Sequence, residues 1–289
     1  MLWLKNFLDK MMNVPSVKEL KKLCRKKVEI VWYAKYVVRP FSIYITKILL
    51  YTPITANQVS FIGMISGICG AFAIGYGTVQ SGFIGVGLLQ FGYVLDCIDG
   101  EIARYYKQSS VNGIFIDFLG HRIVIPLIFL GAAFMIYMNT QNIYMLIIGF
   151  LGAEASSSPL NTVKRNVLMS LSIHSNLDHY DFQKLSRDSN PEETKTSTPS
   201  YAERFMKAIL FYPGNMNVIS ISVLGYYQFR EIFTPFLLGY FVLQIIAQMG
   251  MAVSWYRNKS VEKDFISLVK NISNAYLNRE VSNSKRAMK

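Results

Sequence analysis

Charge is what this chain has least of. Only 17% of its 289 residues are Asp, Glu, Lys or Arg, against 52% that are hydrophobic. The apolar residues gather in blocks, and a chain of this length has room for several membrane spans. Acids are the scarcer sign: 18 Asp and Glu against 30 Lys and Arg leave a net charge of +12. A basic surface suits nucleic acid or anionic lipid. The hydrophobic blocks decide for membrane lipid, with no nucleic acid expected. Cysteine is nearly absent. Cys24, Cys69 and Cys97 have no metal-site spacing and read as small apolar residues in a reducing or lipid setting. No secretory signal is expected at Met1–Asn13, because Asp9 and neighbouring lysines break its apolar residues and no small-residue cleavage site follows.

What is present predicts an all-α polytopic membrane protein of six transmembrane helices, preceded by an amphipathic interfacial helix. Ser16 and Glu19 have capping-box spacing. After them Val17, Leu20, Leu23, Cys24 and Val28 recur at helical spacing among lysines. Such a helix either lies on an anionic leaflet or packs on the protein itself. Phe41–Tyr51 reads as a second interfacial piece. The spans are expected at Gln58–Tyr76, Gly82–Arg104, Gly113–Met138, Ile143–Val163, Met216–Phe229 and Ile232–Tyr256. Thr55 or Asn57 can cap the first, and Pro126 can kink the third. The fifth is short and could reach back past Pro213 to Ala208. The expected organisation is an N-terminal basic segment over 1–54, a six-span catalytic domain over 55–256 with a polar loop over 164–207, and a tail over 257–289.

One stretch breaks the apolar pattern. Residues 96–121 read DCIDGEIARYYKQSSVNGIFIDFLGH. Asp96, Asp99 and Asp117 lie in sequence otherwise fit for lipid, where a carboxylate costs roughly 2.5–3.5 kcal/mol on insertion scales. Three together need a compensating positive charge, and a bound divalent metal supplies it. Asp96 and Asp99 share a helix face, continued by Ala103, and Gly113, Asp117 and His121 form a second stripe at four-residue spacing. Gly100, Ala103 and Gly113 leave room for a ligand or a neighbouring backbone. Arg104 can fork onto a phosphate. Hard carboxylate oxygens suit Mg²⁺, Mn²⁺ or Ca²⁺.

At these residues the chain resembles the CDP-alcohol phosphotransferases. That family carries Asp, two residues, Asp-Gly, two residues, Ala-Arg, eight residues, Gly, three residues, Asp, three residues, Asp. Asp96, Asp99, Gly100, Ala103, Arg104, Gly113 and Asp117 stand at seven of these eight positions, and His121 stands where the family has its fourth Asp. The resemblance extends over the span pattern from about Arg39 to Tyr256. It implies a transferase that moves a substituted phosphate from a CDP-alcohol, such as CDP-diacylglycerol, to an acceptor hydroxyl. CMP is released, in the synthesis of phospholipids or related polar lipids. It further implies that Asp96, Asp99 and Asp117 bind Mg²⁺ or Mn²⁺ in a two-metal site. Gly100, Ala103, Arg104 and Gly113 then line the nucleotide pocket, and Asp117 and His121 are catalytic. The family often forms homodimers. As an imidazole, His121 can accept the acceptor's proton near neutral pH, but it is a poorer partner for Mg²⁺ than a carboxylate, so the second metal is weaker or Mn²⁺ is preferred. Two other readings stay open: a diverged or inactive member using another nucleotide-activated donor, and a non-enzymatic ion or solute carrier.

Lys and Arg set the expected orientation. Eleven precede Pro53, seven lie in 164–207 and eight follow Tyr256, whereas the turns at 77–81 and 139–142 have none. The positive-inside rule then puts both termini, the 105–112 loop and the active site on the cytosolic side of the cell membrane. Weaker candidates are Glu154, an acid within a span that can serve the site or pair with Arg122; His174 and His179 near Asp178 and Asp181; and Arg122, Lys164 and Arg165 as contacts for an anionic acceptor. The stretches YTPITANQVS at 51–60 and YPGNMNVIS at 212–220 each put Pro and Asn ahead of a span.

Overall fold

The computed structural model describes residues 14–24, 32–107, 111–156, 201–265 and 267. Among the described residues the regular structure is helical and no strand occurs. We number the α-helices α1 Val17–Cys24, α2 Arg39–Leu49, α3 Ala56–Gly75, α4 Val79–Tyr105, α5 Val111–Thr140, α6 Ile143–Ser156, α7 Tyr201–Leu210, α8 Gly214–Tyr226 and α9 Arg230–Arg257; a π-helical turn, Ala34–Val38, leads into α2. The chain divides into two compact units, Met1–Ser157 with Tyr201–Ile245, and Ser158–Ser200 with Ile246–Lys289. The described part of the second unit is the C-terminal part of α9 and a short helical stretch after it.

The helix starts follow local chemistry. Thr55 closes a capping box with Gln58, and Thr78 closes one with Ser81, so the first free N–H groups of α3 and α4 are satisfied. Glu19 accepts from the Ser16 N–H at 2.9 Å at the start of α1. Pro40 stands in the first turn of α2, where a missing N–H costs nothing. Gly77, at φ +82°, makes the tight turn between α3 and α4.

Four helices are long and apolar enough to cross a membrane: Ala56–Gly75, Val79–Tyr105, Asn112–Thr140 and Arg230–Arg257. They match the first, second, third and sixth expected spans. Phe61, Phe72, Phe83, Phe91, Phe118, Phe134 and Ile246 stand on their outer faces, each at least 46% exposed. Apolar side chains exposed on this scale mark a surface made for lipid. The fourth expected span begins as α6, and its remainder, 157–163, lies outside the described residues. The fifth takes a different form. The turn at 211–213 divides it, leaving α8 with 13 residues, or about 20 Å at 1.5 Å per residue, short of a 30 Å hydrocarbon core. The backward extension through Pro213 to Ala208 is therefore not one continuous helix.

Small residues let α3, α4 and α5 pack closely. A Cβ on Gly85 would stand 2.7 Å from the Gly70 carbonyl oxygen, and one on Gly92 would stand 2.9 Å from that of Gly63. On the other side of α3, a Cβ on Gly131 would collide with the Ala71 carbonyl. Backbones this close trade lipid contact for dispersion contact between helices.

The N-terminal helices seat on the same bundle. Leu20 and Cys24 of α1 are buried with Ile43, Leu50, Val59, Leu95, Ile98 and Ile102, while Leu23 is exposed among Lys18, Lys21 and Lys22. Of the two readings of this helix, packing on the protein is what Leu20 and Cys24 do. Burial also pushes the Cys24 thiol up to about 11, so it stays a neutral packing group. Behind α2, Glu101 of α4 is 2% exposed and fully engaged. It pairs with Arg39 at 2.8 Å and accepts from Ser42 at 2.7 Å and Thr46 at 2.5 Å.

The glycine contacts make a paired prediction. Gly85→Leu forces α3 and α4 apart and should cost about 1–3 kcal/mol or more. Gly87→Leu, two residues on, meets nothing within 4 Å and should stay within about 0.5 kcal/mol of the parent. Thermal unfolding of both variants in the same detergent checks the contrast.

Candidate active site

The first turns of α3 and α5, the last turns of α4 and the turn before α8 meet around one cleft that opens to solvent. Ser60 comes from α3, Asp96 and Asp99 from α4, Asp117 and His121 from α5, Tyr212 from the turn before α8 and Met216 from α8 itself. The depth of the acids follows from helix rise. Asp96 lies about 26 Å along α4 from Val79, and Asp117 about 9 Å into α5, at 1.5 Å per residue. The carboxylates therefore stand near one membrane edge rather than at its centre, where their burial costs least.

Asp96, Asp117 and His121 each present a ligand atom, and these atoms lie within 4.8 Å of one another. Nδ1 of His121 is 2.8 Å from the Asp117 carbonyl oxygen and 3.3 Å from Asp117 Oδ1. A backbone carbonyl only accepts, so Nδ1 carries the hydrogen and donates it. Nε2, 3.9 Å from Asp96 Oδ1, is then the atom with a lone pair in the neutral ring. Asp99 lines the same cleft but stands outside the gathered trio, where its carboxylate accepts from the Ser60 hydroxyl.

These residues fit a divalent cation. Ligand atoms around one such ion at about 2.0–2.2 Å lie at most about 4.4 Å apart, so the trio closes with a small side-chain movement. Two carboxylates and an imidazole suit Mn²⁺ at least as well as Mg²⁺.

The other motif residues stand nearer the loop end of the helices and do not line the cleft. Gly100 and Ala103 follow the acids along α4, and Gly113 precedes Asp117 by one turn of α5. Arg104 turns back along its own helix: Nε donates to the Cys24 carbonyl at 2.6 Å, and a Cβ on Gly100 would stand 3.1 Å from Nη1. Glycine at 100 is thus what lets the guanidinium lie there. Arg122 pairs with Glu154 at 3.7 Å, both on exposed surface away from the cleft, where such a pair contributes little. His174, His179, Asp178, Asp181, Lys164 and Arg165 lie outside the described residues.

Sequence reasoning missed Tyr93, Tyr212, Met64 and Met216 as cleft residues, and Glu101 as the buried acid behind them. Periodicity hides aromatic and sulfur side chains among core residues. The YPGNMN stretch was the visible signal for Tyr212, and the stripe Arg39, Ser42, Thr46 was the signal for a buried acid opposite.

Fold and cleft together define a helical membrane protein with an acid-lined cleft where three of its spans end. Residues 53–168 match the family model described as CDP-alcohol phosphatidyltransferase, over the stretch that carries the motif. Among solved structures, a Mycobacterium tuberculosis phosphatidylinositol phosphate synthase crystallised with CDP-DAG bound is similar at 15% identity. The similarity covers 73% of this chain and 92% of that one, with a TM-score of 0.40. No curated protein matches the chain.

Mn²⁺ at about 100 times its dissociation constant should stabilise the parent by about 2.7 kcal/mol, and excess EDTA should remove the effect. Asp96→Asn and Asp117→Asn should each abolish most of this stabilisation while the melting temperature without metal changes little. Differential scanning fluorimetry with and without Mn²⁺ checks it.

Proposed function

We propose that this chain is an integral membrane transferase that moves a substituted phosphate from a CDP-alcohol such as CDP-diacylglycerol to an acceptor hydroxyl and releases CMP. The observation that carries this reading is the gathering of Asp96, Asp117 and His121 beside Asp99 at the family motif, within the matched segment. The chemistry has three demands: neutralising a diphosphate, holding the nucleotide and removing a proton from the acceptor.

For the first, Asp96, Asp117 and His121 would hold one Mg²⁺ or Mn²⁺, with Asp99 available to a second. A divalent cation there supplies positive charge to the diphosphate and to the departing CMP oxygen. For the second, Gly100, Ala103, Arg104 and Gly113 stand outside the cleft lining, toward the loop end of α4 and α5, and the family resemblance alone assigns them to the nucleotide. For the third, His121 has two conceivable roles, base and ligand, and one lone pair for them. Nδ1 is committed to the Asp117 carbonyl and Nε2 is turned toward Asp96, which favours the ligand role. We therefore assign the acceptor's proton to Asp117, which at 50% exposure is more open than Asp96 at 31%.

The Lys and Arg distribution supports a cytosolic active site with both termini on the same side. That orientation suits a soluble nucleotide product. In the six-crossing arrangement, α6 continues beyond Ser156 and α8 crosses together with its flanking turns. The exposed lysines of α1 rest on the anionic leaflet while Leu20 and Cys24 hold it to the bundle.

Purified protein given CDP-diacylglycerol, Mn²⁺ and a panel of alcohols should release CMP only with metal and an acceptor. Asp99→Asn should lower the rate at least 100-fold with expression and membrane insertion unchanged. Release of CMP at the parent rate by that variant contradicts the assignment, and no release by the parent with any donor favours the carrier reading.

Orientation has its own check. On a background lacking Cys24, Cys69 and Cys97, Ser109→Cys should resist an impermeant thiol reagent in intact cells and react after lysis. Labelling of intact cells would reverse the topology.

A further inference from the structure

The cleft is completed by a residue from far along the chain. Tyr212, in the turn between α7 and α8, meets the His121 ring edge-on, with centroids 4.6 Å apart and planes at 88°. It is itself held. Tyr93 of α4 stands edge-on to it at 5.4 Å, and Tyr33, just before the π-helical turn, stacks on Tyr93 at 5.6 Å. The far side of the stack is pinned by hydrogen bonds. The Tyr33 hydroxyl donates to Gln90 Oε1 at 2.6 Å, and Gln90 Nε2 donates to Asn217 Oδ1 at 3.1 Å and to Ser220 Oγ at 3.4 Å. Gln90 therefore ties α8 to α4 about one turn from Tyr93, and it fixes the turn that carries Tyr212.

His121 is short of such constraint within its own helix. It is about one-third exposed in the cleft wall, and Nδ1 bonds within its own helix to the Asp117 carbonyl. An imidazole on a helix surface has several rotamers open to it, and a ligand or catalytic group needs one. The perpendicular Tyr212 ring, with its centroid 4.6 Å away, removes rotamers that would swing the imidazole into it.

We propose that Tyr212 is a positioning residue for the site. It holds the His121 ring in the orientation that keeps Nδ1 on the Asp117 carbonyl and turns Nε2 to Asp96. The inference rests on the reading of Asp96, Asp117 and His121 as a metal site. Tyr212 acts through its ring, so phenylalanine replaces it and alanine does not. Residues that orient metal ligands typically contribute about 10–100-fold in affinity, and a ring contact belongs at the lower end.

The test uses the full chain in detergent with Mn²⁺ alone as the probe. It measures the dissociation constant by calorimetry and the ¹⁴N coupling to bound Mn²⁺ by pulsed electron paramagnetic resonance. The coupling reports only on bound metal, so a loss of folded protein does not imitate its loss. The parent and Tyr212→Phe should show the same affinity and an imidazole ¹⁴N signal. Tyr212→Ala should bind about 10-fold more weakly, with the signal reduced or gone. Gln90→Leu, which keeps every ring, should shift both readings the same way by a smaller factor. Parent values of both quantities in Tyr212→Ala overturn the proposal. If that variant does not fold, parent values in Gln90→Leu overturn it. Mn²⁺ bound by the parent without ¹⁴N coupling overturns the role of His121, and with it that of Tyr212, while leaving the acids as the site. No Mn²⁺ binding by the parent overturns the metal reading itself.

Discussion

Carboxylates at the ends of apolar helices must be compensated, and this requirement shapes the rest of the molecule. α4 carries three acids in its last turns, Asp96, Asp99 and Glu101, α5 carries Asp117 across from them, and the structure treats these four in two ways. Glu101 faces away from the cleft and receives a guanidinium and two hydroxyls from α2. A buried acid with that set of partners is a structural group, and removing Arg39 would leave an uncompensated charge. Asp96 and Asp117 face the cleft and have His121 between them. With its hydrogen on Nδ1 the neutral imidazole adds no charge, and a divalent cation held by all three groups would supply it.

Close packing makes this arrangement possible. The glycine contacts between α3 and α4, and the approach of α5 to Ala71, bring three helices near enough for their acids to share one cleft. The same small residues leave no side chain between the backbones, so the spans hold together by dispersion where no hydrophobic force operates in lipid. Side chains from α3, the last turns of α4 and α5 then converge, which brings Ser60, Asp96, Asp99, Asp117 and His121 to one cleft.

Much of this was legible in the sequence because it rests on local pattern. Apolar runs located the long spans, and Thr55 was a visible cap. The spacing of Asp96, Asp99, Gly100, Ala103, Arg104, Gly113 and Asp117 pointed to the family that residues 53–168 match. What was hidden depends on three-dimensional proximity. Asp99 and Asp96 are equivalent by helical spacing, yet Ser60 draws Asp99 aside and His121 joins the trio instead. Tyr212 is 91 residues from His121 in the chain, and no periodicity links them. α8 is shorter than its apolar run suggested because the turn at 211–213 carries Tyr212 into the cleft, so a site residue replaces a helical turn.

The central claim is that Asp96, Asp117 and His121 form one divalent-metal site at the family motif. Anomalous diffraction from crystals of the full chain grown with Mn²⁺, recorded at the manganese absorption edge, tests it most directly. The account predicts an anomalous peak among the side chains of Asp96, Asp117 and His121, with Nε2 as the histidine ligand. A manganese peak elsewhere on the protein, with none in this cleft, would contradict it.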